Sequence, residues 1–207
     1  MRITAEAKQK TRERLLAVAH KLLARRSLAD VTTREVADQA GLAHATLFNY
    51  FPTKDDLALA LCRQLLDEAE ADFAARRRGD EGLDEDLFAH AAAGLRRLSP
   101  YRPWAGTLLA AFRPVPGAPE VPGDDDPAAL ASRHLAAVSG IIARHRGAAA
   151  ASPMALHLYW SLWLGVLTWW AADASESQQD TLAVLDHSLR MFGASLDGAA
   201  SASGAAP

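Results

Sequence analysis

The fold is decided by the stretch TREVADQAGLAHATLFNYFPTKDDL, which spans residues 33–57. Just before it stands Thr32, and Glu35 follows three residues later. This pair predicts a capping box, in which Thr32 bonds the Glu35 N–H and Glu35 reaches back. Glycine often ends a helix because it readily adopts the left-handed conformation, so the first short helix is expected to end at Gly41. A second short helix is expected at 43–50. Two short helices joined by a tight glycine turn are typical of a helix-turn-helix, which places its second helix in a DNA major groove.

The residues of the second short helix suit a groove. Leu47, and partly Phe48, are apolar anchors, whereas His44, Thr46 and Asn49 are small or hydrogen-bonding. No carboxylate is present that would repel phosphate. A helical hairpin inside some other all-α core is the alternative, because helix–glycine–helix units are common.

Helical spacing of Ala, Leu, Arg and Glu runs through the rest of the chain and predicts an all-α protein of about nine helices. Beside the short pair at 33–40 and 43–50, helices are expected at residues 7–26, 54–77, 83–98, 103–112, 127–146, 153–172 and 178–196. The Pro/Gly/Asp-rich segment 113–126 predicts a long loop. The predicted organisation is a helix-turn-helix DNA-binding domain at 1–56, a helical ligand-binding and dimerisation domain at 57–197, and a disordered tail at 198–207.

The composition is that of a folded protein. The chain has 207 residues, of which 50% are hydrophobic, and this is enough apolar surface to form a core. The single cysteine, Cys62, cannot form an internal disulfide, and no early apolar stretch has signal-peptide flanks, so a cytoplasmic location is expected. Residues 154–172 are long and apolar, but His157, centrally placed tryptophans and an acidic flank argue against a membrane span.

Charge is unevenly distributed along the chain. The net charge is −3, yet residues 1–64 hold 11 basic against 7 acidic side chains, and residues 65–207 hold 11 against 18. The split suggests a polyanion-binding N-terminal part on an acidic body. An amphipathic surface helix with ordinary Lys and Arg would give the same pattern, so the motifs must decide.

Residues 11–57, and especially the quoted stretch, resemble the DNA-binding domain of TetR-family transcriptional repressors. That family's pattern has Thr at the start of the second helix, an Ile/Val-Ala pair, Ala-Gly-Val, Thr-Leu-Tyr, an aromatic-Phe pair, and Lys followed by acids and Leu. The corresponding residues here are Thr32, Val36-Ala37, Ala40-Gly41-Leu42, Thr46-Leu47-Phe48, Tyr50-Phe51 and Lys54-Asp55-Asp56-Leu57.

The resemblance implies phosphate contacts from Thr33, Thr46, Tyr50 and Lys54. Exposed positions of the recognition helix can reach base edges: Asn49 suits adenine, His44 suits guanine or phosphate, and Ala45 suits the thymine methyl group. Ala43 stands where the family usually has Ser, so the helix is expected to lack a side-chain N-cap, a loss of about 1 kcal/mol.

The resemblance also implies that about five further helices form a ligand pocket and a dimer interface. The last helix carries apolar residues at alternating spacings of three and four, as helices packed in a bundle do. The preceding helix is apolar all round and contains a glycine, so a dimeric four-helix interface is favoured over a core-only role. The predicted interface residues are Gly165, Leu182, Leu185, Leu189 and Phe192.

Aromatic residues with few polar neighbours favour a small-molecule pocket in the same part of the chain. Each of them is also compatible with a plain core or surface role. The predicted ligand-binding residues are Trp104, Phe112, Arg144, His145, His157, Trp160, Leu164 and Thr168, and Tyr159 and Trp163 are further aromatic wall candidates.

Catalysis is not expected, and no metal or cofactor is predicted. The seven His never fall at i, i+3 or i, i+4, and no Gly-rich phosphate loop follows a strand. Taken with the resemblance, the sequence predicts a repressor that binds a palindromic operator in double-stranded DNA as a homodimer. A small apolar or aromatic molecule would release it. The alternative is an all-α protein-interaction module without DNA binding.

Overall fold

The computed structural model describes residues 4–106, 109 and 127–203. Within these ranges the chain is helical without a strand, which confirms the all-α prediction. The predicted helix at 103–112 and loop at 113–126 fall mostly outside the described residues. The helices are α1 (Ala5–Leu23), α2 (Thr33–Gln39), α3 (His44–Phe48), α4 (Lys54–Arg76), α5 (Leu83–Leu98), α6 (Pro127–Arg146), α7 (Pro153–Ala172) and α8 (Gln179–Ser203), and a 3-10 segment (Ser99–Trp104) follows α5.

Threonine side chains cap the N-termini of α2 and α4. The Thr32 hydroxyl accepts from the Glu35 N–H at 3.1 Å, as predicted. The return bond was predicted wrongly, because the Glu35 carboxylate instead accepts from the Arg26 guanidinium at 2.6 Å. At α4 the capping box is complete: Thr53 and Asp56 each cap the other's backbone N–H.

The first three helices form a small domain around their own core. Leu15 and Ala19 of α1, Val36 of α2 and Leu47 of α3 are all fully buried, together with Phe51 just after α3. Because both short helices donate a residue to this core, their relative orientation is fixed by packing.

The body is a helical bundle centred on α5. This helix packs along α4 and also contacts α6 and α8, and α8 packs in turn on α7. The long helix α4 begins in the N-terminal domain and continues into the body, where it contributes Leu61, Cys62, Leu65, Ala69 and Phe73 to the core. It therefore links the two parts rigidly.

A buried ionic cluster joins three segments of the body. The fully buried Asp86 of α5 accepts from Arg77 Nε at 2.9 Å and lies 2.8 Å from His145 Nε2. The Arg144 guanidinium is 3.8 Å away. Burial alone would raise the pKa of Asp86, but the hydrogen bonds from Arg77 and His145 outweigh it and the pKa is lowered.

A second polar link connects the N-terminal domain to the body. The buried Tyr101, in the 3-10 segment, has its hydroxyl 2.7 Å from His20 Nδ1 of α1. Two residues before Tyr101, the Ser99 hydroxyl accepts from the Gln178 amide at 2.5 Å, and Gln178 also accepts from Trp170 Nε1 at 2.8 Å. The 3-10 segment thus contacts both α1 and the turn between α7 and α8.

The C-terminal helix is longer than the sequence indicates. Helix α8 continues to Ser203, past residue 198 where the tail was predicted to begin. Ala and Ser add helix at little cost once a preceding turn exists, which explains the extension. In the described part of the chain, no helix has the length and hydropathy needed to cross a membrane.

Candidate nucleic-acid interface and internal cavity

The turn between α2 and α3 is closed by its backbone. Gly41 has φ +65°, the left-handed conformation that the sequence predicted for it. The Gly41 N–H donates to Asp38 O at 3.0 Å and the Leu42 N–H to Ala37 O at 2.9 Å. This pair of bonds is the Schellman motif, which ends α2 and turns the chain at once into α3.

Helix α3 presents polar and small residues to solvent. Leu47 faces the core, whereas Ala45 and Asn49 are exposed and Thr46 is half-buried. Phe48 was expected to be partly an anchor, but its ring is 40% exposed and packs edge-on against His44, with ring centroids 4.9 Å apart. The exposed side of α3 therefore carries no negative charge.

Three of the predicted DNA-contact residues have partners within the protein. Thr33 Oγ1 and His44 Nε2 are 3.0 Å apart, so the first turn of α2 holds the first residue of α3. Lys54, the first residue of α4, reaches Ala29 O at 3.5 Å. Tyr50 is half-buried. The seven predicted DNA-contact residues lie on α3, in the two residues directly after it, or in the first turns of α2 and α4.

Sequence reasoning missed one cation of this surface. Arg34 follows Thr33 in the first turn of α2, and its side chain is exposed. A guanidinium in this position can bind the same stretch of DNA backbone as Thr33. The sequence signal for this contact is the position of Arg34 directly after a predicted phosphate-binding residue.

The N-cap position of α3 gives a stability prediction. Ala43 makes no side-chain cap bond, as expected from the sequence. Because a serine hydroxyl could accept a free N–H there, Ala43→Ser is expected to raise the free energy of unfolding by about 1 kcal/mol. Urea denaturation measures the change. Thr53→Ala, which removes a cap that is present, is the matched control and should lower the stability by a similar amount; equal stability of all three proteins would contradict the prediction.

A cavity opens between α4, α5, α6 and α7 in the body. The enclosed space within it is about 40 Å³. The lining is mixed, with aromatic rings and charged side chains: Arg63, Leu66, Asp67, Ala69, Glu70, His90, Ala91, Gly94, Leu130, Arg133, His134, Ala137 and Trp163. Small-molecule sites have volumes of about 300–1,000 Å³, so a ligand must widen this cavity when it binds.

None of the predicted ligand-binding residues that the structure describes is among those that line this cavity. Arg144 and His145 do not line it, because both are committed to the buried Asp86. His157 and Thr168 are exposed on the outer side of α7, and the Thr168 hydroxyl donates to Leu164 O at 2.8 Å. Trp160 is buried and Leu164 is half-buried, and neither lines the cavity. The Trp104 side chain and Phe112 lie outside the part of the chain that the structure describes.

The predicted dimer residues differ in burial: those of α8 are buried or half-buried within the single chain, whereas Gly165 of α7 is exposed. Leu185, Leu189 and Phe192 of α8 are buried within the single chain and so belong to its core, and Leu182 is half-buried. Gly165 of α7 is exposed, with open space around it. Three-four spacing identifies an apolar face but not the partner that covers it.

Another face of the same two helices is apolar and uncovered. On α7 a stripe of exposed residues recurs at alternating spacings of four and three: Met154, Leu158, Ser161, Gly165 and Thr168. Trp169 beside it is 51% exposed, and Met191 of α8 is 57% exposed. These helices therefore expose four large apolar side chains: Met154, Leu158, Trp169 and Met191.

The fold and surface together define a class of protein. A helix-turn-helix that packs around its own core and has no carboxylate on its second helix is typical of DNA-binding domains. In this protein it is joined to a helical body. Residues 15–61 match the family described as "Bacterial regulatory proteins, tetR family". The DNA-binding part of the chain is therefore similar to that of TetR-family regulators.

Individual relatives agree with the family. The HTH-type transcriptional regulator EthR of Mycobacterium tuberculosis is 34% identical over 72 residues, which cover 35% of this chain. The match spans only 32% of EthR, about a third of that relative's length. The matched relative is a transcriptional regulator by its name.

Solved structures share the fold over nearly the whole chain. A TetR transcriptional regulator from Rhodococcus sp. RHA1 is 22% identical with a TM-score of 0.61, covering 89% of this chain and 97% of that one. Thermus thermophilus FadR, a TetR-family transcriptional repressor in complex with lauroyl-CoA, is 21% identical with a TM-score of 0.59. The structural match covers 87% of this chain and 92% of FadR. At these identities the likeness concerns the fold alone.

Proposed function

We propose that the protein is a cytoplasmic repressor that binds a palindromic operator as a homodimer and releases it when a small apolar or aromatic molecule occupies the body. The observation that carries the proposal is the surface of α3: Ala45 and Asn49 are exposed while Leu47 anchors the helix. The hydroxyl and ammonium groups of Thr33, Thr46, Tyr50 and Lys54 flank that surface and suit phosphates on either side of a groove.

The uncovered face of α7 and α8 supports dimerisation. Two copies packed through this face would form a four-helix bundle and bury side chains such as Leu158 and Met191. The exposed Gly165 would let the two α7 backbones approach closely. Two-fold symmetry then places the recognition helices in successive major grooves, about 34–36 Å apart or a multiple of that spacing.

Two connections support coupling between the cavity and the DNA-binding domain. Helix α4 lines the cavity with Leu66 and Ala69 and carries Lys54 at its other end. The contact between Tyr101 and His20 ties α1 to the body independently of α4. A molecule that moves α4 against the body would therefore change the spacing of the two DNA-binding domains. FadR, which shares the fold, holds an acyl-CoA, and this supports a small-molecule site in the body.

A pair of variants separates the proposed roles of two residues at the DNA surface. Lys54→Ala should weaken binding to all sequences alike and lower the slope of log affinity against log salt by ~1, because it removes one phosphate contact. Asn49→Ala should instead relax the preference at one operator position by about 1–3 kcal/mol. Electrophoretic shifts at several salt concentrations measure both effects.

The two variants control for each other, since both lie at the same surface. If Lys54→Ala changed the sequence preference and kept the salt slope, the assignment of roles would be wrong. If wild type failed to bind duplex DNA in a salt-dependent way, the alternative of a protein-interaction module would stand.

A further inference from the structure

The inner wall of the cavity is a column of aromatic rings. His90 of α5 lies 5.2 Å from His134 of α6, measured between ring centroids. His134 stacks on Trp163 of α7 at 4.9 Å with an interplanar angle of 14°. All three residues line the cavity. A ligand that enters it therefore meets ring surfaces contributed by three helices.

This wall carries no charge at neutral pH. Burial lowers the pKa of His90 to about 4, and the nearby Arg144 lowers it further. Burial also holds the pKa of His134 well below its usual value. The charged residues of the cavity have side chains at least partly exposed, and two of them, Arg133 and Asp67, pair with each other at 2.5 Å. An ionised group pushed against the ring wall would lose its hydration without gaining a counter-ion.

Two nitrogen atoms of the wall have unused hydrogen-bonding capacity. His90 Nε2 and Trp163 Nε1 are buried, and neither has a hydrogen-bond partner among the described residues. His134 Nε2, by contrast, lies 3.0 Å from the Tyr159 hydroxyl. An indole N–H can only donate, so Trp163 requires an acceptor such as a carbonyl oxygen. A purely apolar ligand would leave both nitrogens unsatisfied.

The rest of the lining leaves the rings accessible from the cavity side. Four of its residues have minimal side chains: Ala69, Ala91, Gly94 and Ala137.

We infer that the effector is an uncharged aromatic molecule with an oxygen atom that accepts a hydrogen bond from the Trp163 N–H, and that it lies beside His90. This inference rests on the proposed function and narrows it, because it excludes a purely apolar effector as well as a fatty-acyl or anionic one.

A matched set of four probes tests the inference on the full chain without DNA. The probes are 9-fluorenone, its hydrocarbon analogue fluorene, 9-fluorenone-4-carboxylate and laurate, titrated by calorimetry. We expect 9-fluorenone to bind about tenfold more tightly than fluorene, since it alone of that pair satisfies the indole N–H. The two carboxylates should bind more weakly than 9-fluorenone. No binding of 9-fluorenone, or tighter binding of laurate or of the charged analogue, would overturn the inference.

Trp163→Phe keeps an aromatic ring and removes the N–H, so it should erase the preference for 9-fluorenone over fluorene. Trp160→Phe is the matched control: Trp160 is buried in the same helix to the same extent but does not line the cavity. It should keep the preference. An unchanged preference in Trp163→Phe, or equal losses in both variants, would contradict the assignment.

The outcome is separable from that of the proposed function. Probe binding is measured without DNA, and operator binding is measured without probe. If laurate binds in the cavity and weakens operator binding, the proposed function stands and the effector class inferred here is wrong. If 9-fluorenone binds as expected but operator affinity does not change, the class stands and ligand release of the operator fails.

Discussion

Asp86→Ala is expected to lower the free energy of unfolding by about 3–5 kcal/mol, a large part of a domain's stability. The carboxylate is fully buried and accepts from Arg77 while contacting His145. Removing it leaves the positive charge of Arg77 partly buried and without its partner, in addition to a cavity. Urea denaturation followed by circular dichroism measures the loss.

The deficit of this variant should depend on pH. Because the pKa of Asp86 is lowered in the folded state, its ionised form stabilises the protein at neutral pH, and that contribution is lost as the pH falls below about 4. Wild type and Asp86→Ala should therefore converge in stability toward acid pH. Asp186→Ala is the control, since its pair with Arg190 is exposed on one helix face and should cost about 0.3–0.5 kcal/mol. Equal effects of the two substitutions would show that the cluster around Asp86 does not hold the body together.

Leu158→Arg is expected to split the dimer and to weaken operator binding by about 100-fold or more, because each DNA-binding domain would then bind its half-site alone. Leu158 is 40% exposed in the single chain and lies within the uncovered stripe of α7. A charge there would be buried unpaired in the four-helix bundle of the dimer. Sedimentation velocity gives the assembly state, and electrophoretic shifts give the operator affinity.

Two further variants make the dimer prediction specific. Leu189→Arg places the same charge at a residue only 3% exposed, so it should unfold the chain instead of yielding folded monomers. Ala75→Arg, at an exposed position of α4, should leave both assembly and DNA binding unchanged. An intact dimer in Leu158→Arg would move the interface to another surface.

Local signals explain why the DNA-binding domain was predictable from sequence. Thr32 and Thr53 mark helix starts through side-chain bonds made within four residues, and Gly41 marks a turn that needs positive φ. Each of these interactions depends on neighbours in the chain. Glu35 was mispredicted because Arg26, nine residues earlier, offers its carboxylate a charged donor that outcompetes the backbone N–H.

The body was less predictable, because its site is assembled by tertiary packing. Helix α7 is apolar all round, so periodicity could not show that Trp163 faces the cavity while Thr168 faces outward. His90 and His134 are single histidines on different helices, 44 residues apart in sequence, and only packing brings them together. Likewise, the seam of Leu185 and Leu189 fits core and interface equally well by spacing, and burial within one chain assigns it to the core.

The most direct measurement of the central claim is selection of bound duplexes from random DNA by the full-length protein, followed by sequencing. The account predicts an inverted repeat whose half-sites are centred about 34–36 Å apart or a multiple of that distance, since a two-fold dimer presents two copies of α3. Enrichment of sites without inverted symmetry, or of no sequence at all, would contradict it.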